Sequence, residues 1–334
     1  MSGPRFLLGG LLVIVWMLAG AAIAAADPPG PTDYLSSVIE IEPNVPGIDV
    51  EIVGGDSFVV LTAERGVTVD VIGYSGEPYL RFSADGTVEE NRLSPSRYLN
   101  RDRYAAVAIP DEADAGAVPD WMVVAGDGSF AWHDHRTHWM ASIRPPGKVP
   151  GDEIAEGVIP LIVDGVAVDV TVASVWQPPP SGVPVVLGAT IGLLAAFAAL
   201  HLRGRVIAVI LIGAAVSAAT VGIAAYASVP AETGPPWAQW ALPATALALS
   251  AIGLVSGQRL TAGSQRTLQF LGATELVIWG VRRWDWLRAS ILPSRLPFWI
   301  DRFIGAAVLV GACGVVTAVL LDMVRPAHEV PVRP

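Results

Sequence analysis

Two hydrophobic patterns divide the chain. From about residue 30 to 180, apolar and polar residues alternate in short runs; beyond that, apolar residues form long blocks. Alternation with a period of two turns one face of a strand toward a core. On that basis residues 48–53, 57–63, 67–73, 78–82, 87–91, 121–125, 130–132, 157–163 and 166–176 are predicted strands. Turn residues separate them. Asp85-Gly86 and Asp164-Gly165 are hairpin signals, and Gly54-Gly55 and Gly126-Asp127-Gly128 break other runs. Residues 111–120, rich in Asp, Ala and Pro, are a predicted loop, and Gln177 with the three prolines after it is a stiff spacer. Many short strands at this spacing imply an antiparallel β-sandwich of immunoglobulin or cupredoxin type.

The later blocks are long enough for a membrane. Residues 183–202, 206–229, 238–256 and 303–321 each approach the length of the hydrocarbon core. A fifth stretch, 267–281, is apolar but short and carries Glu275. At the amino terminus Arg5 precedes an apolar run over 6–25 that ends on Ala24, Ala25 and Ala26, the features of a secretory signal cleaved before Asp27. The expected organisation is a signal peptide 1–26, an extracytoplasmic β-sandwich domain 27–180, a transmembrane domain 181–323 of four to five spans, and a C-terminal tail 324–334. The fold class is β plus membrane α, with a bundle of transmembrane helices following the sandwich. With the β domain outside, Arg203, Arg205, Arg259 and Arg266 fall on the cytoplasmic side, and 230–237 carries no basic residue, as the positive-inside rule asks. A crossing by 267–281 sends Arg282, Arg283, Arg288, Arg295 and Arg302 outside, against that rule. Its apolarity, and the belt of Trp279, Trp284 and Trp286 at one end, argue for the crossing.

Charge sharpens the division. Residues 27–182 hold 25 Asp and Glu against 9 Lys and Arg, a net of −16, while the remainder holds 6 acids and 12 bases. A domain this acidic lacks the basic footprint of nucleic-acid binders, and its charge serves solubility. The one cysteine, Cys313, lies in an apolar block, so the β domain offers neither a disulfide nor a thiolate ligand. Arg97, Arg101 and Arg103 are expected to pair with the domain's acids rather than bind an anion. In the apolar blocks, Gly188 with Gly192 and Ala218 with Gly222 have the small-residue spacing that lets helices pack closely, within the chain or with a partner.

Candidate chemistry concentrates in one stretch. His133, His135 and His138 fall within six residues, with Met140 just after. Nitrogen donors beside a thioether, outside the cell and without thiolate, suit copper first and zinc next. On a continuous strand His133 and His135 share a face while His138 and Met140 point the other way, so the four converge only if the chain turns or bulges around Arg136-Thr137. The alternative is a structural knot in which Asp134 pairs with an arginine such as Arg136, the imidazoles bond to the backbone, and Trp132 and Trp139 pack around them. No Gly-rich phosphate loop, G-x-S-x-G or H-E-x-x-H motif is present.

Three stretches, Gly73 to Arg81 (GYSGEPYLR), Tyr98 to Arg103 (YLNRDR) and Trp132 to Met140 (WHDHRTHWM), together resemble a family of actinobacterial membrane proteins built from a signal peptide, an ectodomain and a C-terminal helix bundle. A later stretch, Trp286 to Pro293 (WLRASILP), resembles that family with departures. The resemblance implies architecture, favours five spans because the later stretch follows a span there, and implies no activity. The expected function is a non-enzymatic, membrane-anchored binding or assembly protein of the cell envelope, in contact with lipid and with a protein partner or a second copy. The alternative is an extracytoplasmic copper or zinc binder using the three histidines.

Overall fold

The computed structural model describes residues 30–202, 204–234, 237–256 and 259–324. The expected signal peptide and its cleavage point, Arg203, and the tail from 325 onward lie outside the described residues. Among the described residues, ten strands form two antiparallel sheets. They are β1 (Tyr34–Glu42), β2 (Ile48–Val53), β3 (Phe58–Ala63), β4 (Val69–Ile72), β5 (Pro78–Phe82), β6 (Val88–Asn91), β7 (Trp121–Ala125), β8 (Ser129–His133), β9 (Glu153–Val163) and β10 (Val166–Trp176). The larger sheet runs β1-β10-β9-β4-β5-β6-β7 and the smaller β2-β3-β8.

The alternation in the sequence becomes the core. On β9, Ile159, Leu161 and Val163 are buried while Val158 and Ile162 are exposed. Those three side chains join Val168, Val170 and Val172 of β10, Val69 and Val71 of β4, and Val59 and Leu61 of β3 in one cluster shared by both sheets. Burial at roughly 25 cal/mol per Å² of apolar surface makes that cluster the main support of a domain without disulfides. Asp164 and Gly165 both adopt positive φ, 47° and 81°, so the β9–β10 hairpin closes in a two-residue turn of the kind the strand twist favours. At Asp85-Gly86 only Gly86 does so, with φ 92°. Two elements were absent from the sequence reading. β1 pairs with β10 through a register shift near Ile39, which breaks its alternation, and Leu35 and Ile39 are exposed. A five-residue helix, α1 (Pro95–Leu99), opens on a proline that suits a first helical turn.

Five further helices follow: α2 (Val183–His201), α3 (Arg205–Tyr226), α4 (Trp237–Val255), α5 (Ala262–Arg282) and α6 (Phe298–Val324). By length and composition α2, α3 and α6 can cross a membrane, and the apolar part of α4, Gln239–Val255, is shorter. Small residues bring these helices together within the chain. A Cβ on Gly188 would sit 2.1 Å from the Phe303 carbonyl oxygen, and one on Gly222 2.6 Å from that of Gln239. Glu275 of α5 is buried and accepts from the Thr245 hydroxyl of α4.

The connections meet the β domain alternately. After α5, Ile291 forms a two-way main-chain bridge with Thr32, at 3.0 and 2.8 Å. Ser290 N donates to Asp33 Oδ1 at 2.9 Å. Arg295 Nε donates to the Ala227 carbonyl in the connection after α3, at 2.8 Å. At the far end, Gln269 of α5 donates to the Gly204 carbonyl between α2 and α3, at 3.0 Å. The arginines after α5 are not all free charges at a surface. Arg283 pairs with Asp301 at 2.7 Å, both 1% exposed, Arg288 pairs with Asp285 at 2.6 Å, and Arg302 donates to the carbonyls of Ala289 and Ser290.

Candidate functional site

The histidine stretch leaves the sheet at the point where the chain must turn for its rings to meet. His133 ends β8, paired with Phe58 of β3. Asp134 is extended and caps a 3-10 turn over His135–Thr137 by accepting from Arg136 N, and His138 resumes extended geometry. The turn cancels the alternation that would hold His138 on the opposite face. His133 Nε2 and His138 Nε2 lie 2.9 Å apart, the ring of His135 stands 5.4 Å from His133 and 5.6 Å from His138, and one nitrogen of each ring lies within 4.8 Å of the others. Met140 follows and is 38% exposed.

Beneath the rings lies a knot around Asp134. Its carboxylate, 0% exposed, accepts from Arg136 Nε and a terminal nitrogen at 2.8 and 2.7 Å and from Trp132 Nε1 at 2.9 Å. Burial alone would push this carboxyl up, but the Arg136 bonds and charge hold it below the usual range. Arg136 also donates to the Ile72 carbonyl at 3.1 Å. Gly157 admits this turn: a Cβ there would stand 2.1 Å from the Arg136 carbonyl oxygen. Trp139 is half-buried and donates to the Ile143 carbonyl at 2.8 Å.

Several residues at the site did not stand out as ligands or partners in the sequence. Tyr74 stacks on His135 at 5.6 Å and 8°; its hydroxyl accepts from His135 N at 2.8 Å and donates to Asn100 Oδ1. The Asp102 carbonyl accepts from His135 Nε2 at 2.9 Å. Asp56, 0% exposed, pairs with Arg103 at 2.5 Å, and its carbonyl accepts from Thr137 Oγ1 at 3.3 Å. Tyr74, Asn100, Asp102 and Arg103 all fall within the stretches 73–81 and 98–103. Of the other arginines nearby, Arg97 pairs with Glu90 at 2.8 Å, and Arg101 lies over the Tyr98 ring at 4.9 Å.

Protons can be assigned from the partners. A carbonyl only accepts, so His135 is protonated on Nε2 toward Asp102, and His138 on Nδ1 toward the Trp139 carbonyl at 3.1 Å. Burial pushes His133 down to about 4, helped by His135 and Arg103. It pushes His138 down to about 3, helped by Arg103 and His133, and lowers His135 as well. All three rings are therefore neutral near pH 7. The 2.9 Å contact between His133 Nε2 and His138 Nε2 is an N–H···N bond when His133 carries its proton on Nε2, and it presents two lone pairs to one centre when the proton is on Nδ1.

Comparison with models of protein families, with curated proteins and with solved structures found no match to this chain.

Proposed function

We propose that the chain is a non-enzymatic, membrane-anchored extracytoplasmic protein that binds a transition metal, copper before zinc, through His133, His135 and His138. One observation carries the proposal: the three rings converge, with His133 Nε2 and His138 Nε2 2.9 Å apart and one nitrogen of each ring within 4.8 Å of the others. Metal-binding imidazoles are oriented by an acceptor on the outer N–H, and here His135 and His138 each bond to a main-chain carbonyl. Met140, two residues beyond His138, is the thioether available to extend the set. In this reading the two sheets form a β-sandwich outside the membrane, the helices form its anchoring bundle, and the Asp134 knot sets the geometry of the turn.

The test is elemental analysis of the full-length protein purified in detergent, beside a variant with His133, His135 and His138 all changed to alanine. The proposal requires copper or zinc near one ion per chain in the parent and none in the variant. A parent that neither carries nor takes up either metal returns the motif to a structural role and leaves the assembly reading as the function.

A further inference from the structure

Independently of the histidine site, we infer that Glu275 is a proton-binding site inside the helical part, loaded along a polar route from the side of the α2–α3 connection. Glu275 is 2% exposed, and no charged side chain of the helices packed around it shares its depth. α4 carries none; α3 has its titratable groups at its two ends, Arg205 and Tyr226. α6 has Asp301 and Arg302 at one end and Asp322 at the other, with only the exposed Cys313 between. Around α5 itself, Arg266 is paired with Asp322 and Arg283 with Asp301, and Arg282 is exposed. At about 1.5 Å per residue, both pairs lie roughly 12 Å or more from Glu275 along the axis. A carboxyl so placed is stable only with its charge neutralised, by a proton or a bound cation. Thr245 decides between them. Its single hydroxyl hydrogen has three acceptors in reach: the carbonyls of Ala241 and Leu242, at 2.8 and 3.0 Å, and the Glu275 carboxyl. When the hydrogen serves Glu275, the carboxylate accepts. When it serves a helix carbonyl, Oγ1 accepts and a protonated Glu275 donates. The same contact therefore holds both states, as a group that takes up and releases a proton requires. A hard cation takes about six oxygen ligands, whereas among the described residues Thr245 supplies the one side chain bonded to this carboxyl.

The route begins in a cavity of about 230 Å³ where α2, α3, α5 and α6 meet, lined by Gln265, Arg266, Gln269 and Asp322 beside Gly204. From its wall Gln269, Gly272 and Glu275 follow along α5, each step about 4.5 Å in rise. Gly272 brings α4 close at the middle step: a Cβ there would stand 3.2 Å from Ser250 Oγ. Ser250 is 1% exposed, and its hydroxyl has no protein partner among the described residues. A hydroxyl both donates and accepts, so Ser250 can hand a proton on through water, the partner that buried hydroxyls of this kind take. Toward the β domain the path is closed. Trp279, one turn beyond Glu275, is 1% exposed, and an indole N–H donates without accepting, so it passes no proton on. Past it, Arg283 lies 3.6 Å over the Trp286 ring and is locked to Asp301.

The experiment is infrared spectroscopy of the full-length protein in phosphatidylcholine vesicles, sorted with an antibody to the β domain by which side faces the bath. The carboxylic-acid C=O band present in the parent and missing from Glu275→Gln reports the proton. With the α2–α3 connection facing the bath, raising the bath pH should remove the band, by about tenfold for each pH unit above its midpoint. With the β domain facing the bath, the band should stay until a protonophore equalises the two sides. Should Glu275→Gln fail to fold, Thr245→Val identifies the band instead, because loss of the bonded hydroxyl shifts it. A parent with no such band at any pH overturns the inference. So does a band that follows bath pH from the β-domain side without a protonophore. A band that sodium removes at constant pH overturns it as well, and marks a cation site. The metal content of the histidine site is untouched by each of these outcomes.

Discussion

At the scale of single residues, Asp134 anchors the site. Removing its carboxylate strands the Arg136 guanidinium and the Trp132 N–H, which now donate to it. Breaking a buried ion pair from one side costs about 3–5 kcal/mol. Asp134→Ala should therefore lower the melting temperature of the β domain by about ten degrees, read by the thermal melt of the full-length protein. A melt unchanged from the parent would show that Asp134 does not hold the turn. The histidines add a pH dependence whose sign is fixed. Their folded values, about 4 for His133 and about 3 for His138, lie below the ordinary 6.5. Between those values the unfolded chain takes up protons that the folded chain refuses. Stability is complete above about 6.5 and falls as pH drops toward 4, by about 1.4 kcal/mol for each unit of difference per ring. Melts across this window check it, and the triple-alanine variant should lose most of the slope.

At the scale of elements, the strands were legible because their burial is one-sided. β2, β5, β7 and β10 fall on the predicted residues, since alternation and glycine turns state a half-buried strand directly. β1 was not legible: its bulge interrupts the alternation, and its apolar residues are partly in solvent. The site was half legible. Spacing marked the three histidines, and the need for a turn at Arg136-Thr137 followed from strand geometry. Asp102 acts through its main chain, which no side-chain pattern records. Among the helices, the small residues on α2 read correctly as contacts, but only the structure identifies α6 as the partner. Gly188→Leu should force α2 away from Phe303 and cost about 1–3 kcal/mol. The measurement is the detergent-solubilised melt of the helical part, against Leu187→Ala on the exposed side of α2, which should change little.

At the scale of the whole molecule, the alternating connections decide how the helices lie. The connection after α3 and the one after α5 bond to each other through Arg295 and Ala227, and the latter joins the β domain through Thr32 and Ile291. The α2–α3 connection instead meets α5 through Gly204 and Gln269, and Arg266, near the start of α5, pairs with Asp322, near the end of α6, at 2.7 Å. Each helix thus runs between the same two levels, α5 included. The arginine count that opposed an α5 crossing loses much of its weight, because Arg283 and Arg288 are neutralised by Asp301 and Asp285 and Arg302 is held by carbonyls. The polar groups of α5 are likewise sheltered, Glu275 by Thr245 and Gln269 by the Gly204 carbonyl, as buried polar groups between membrane helices must be. We therefore predict five crossings after the β domain, with the C-terminus on the side opposite it. Reporters that work only in the cytoplasm or only outside it, fused after Val324, measure this directly: the cytoplasmic reporter should be active and the external one silent. The reverse outcome would leave α5 lying within the membrane surface. The Arg283–Asp301 pair would then be a clamp between two interfacial segments rather than a seam between two spans.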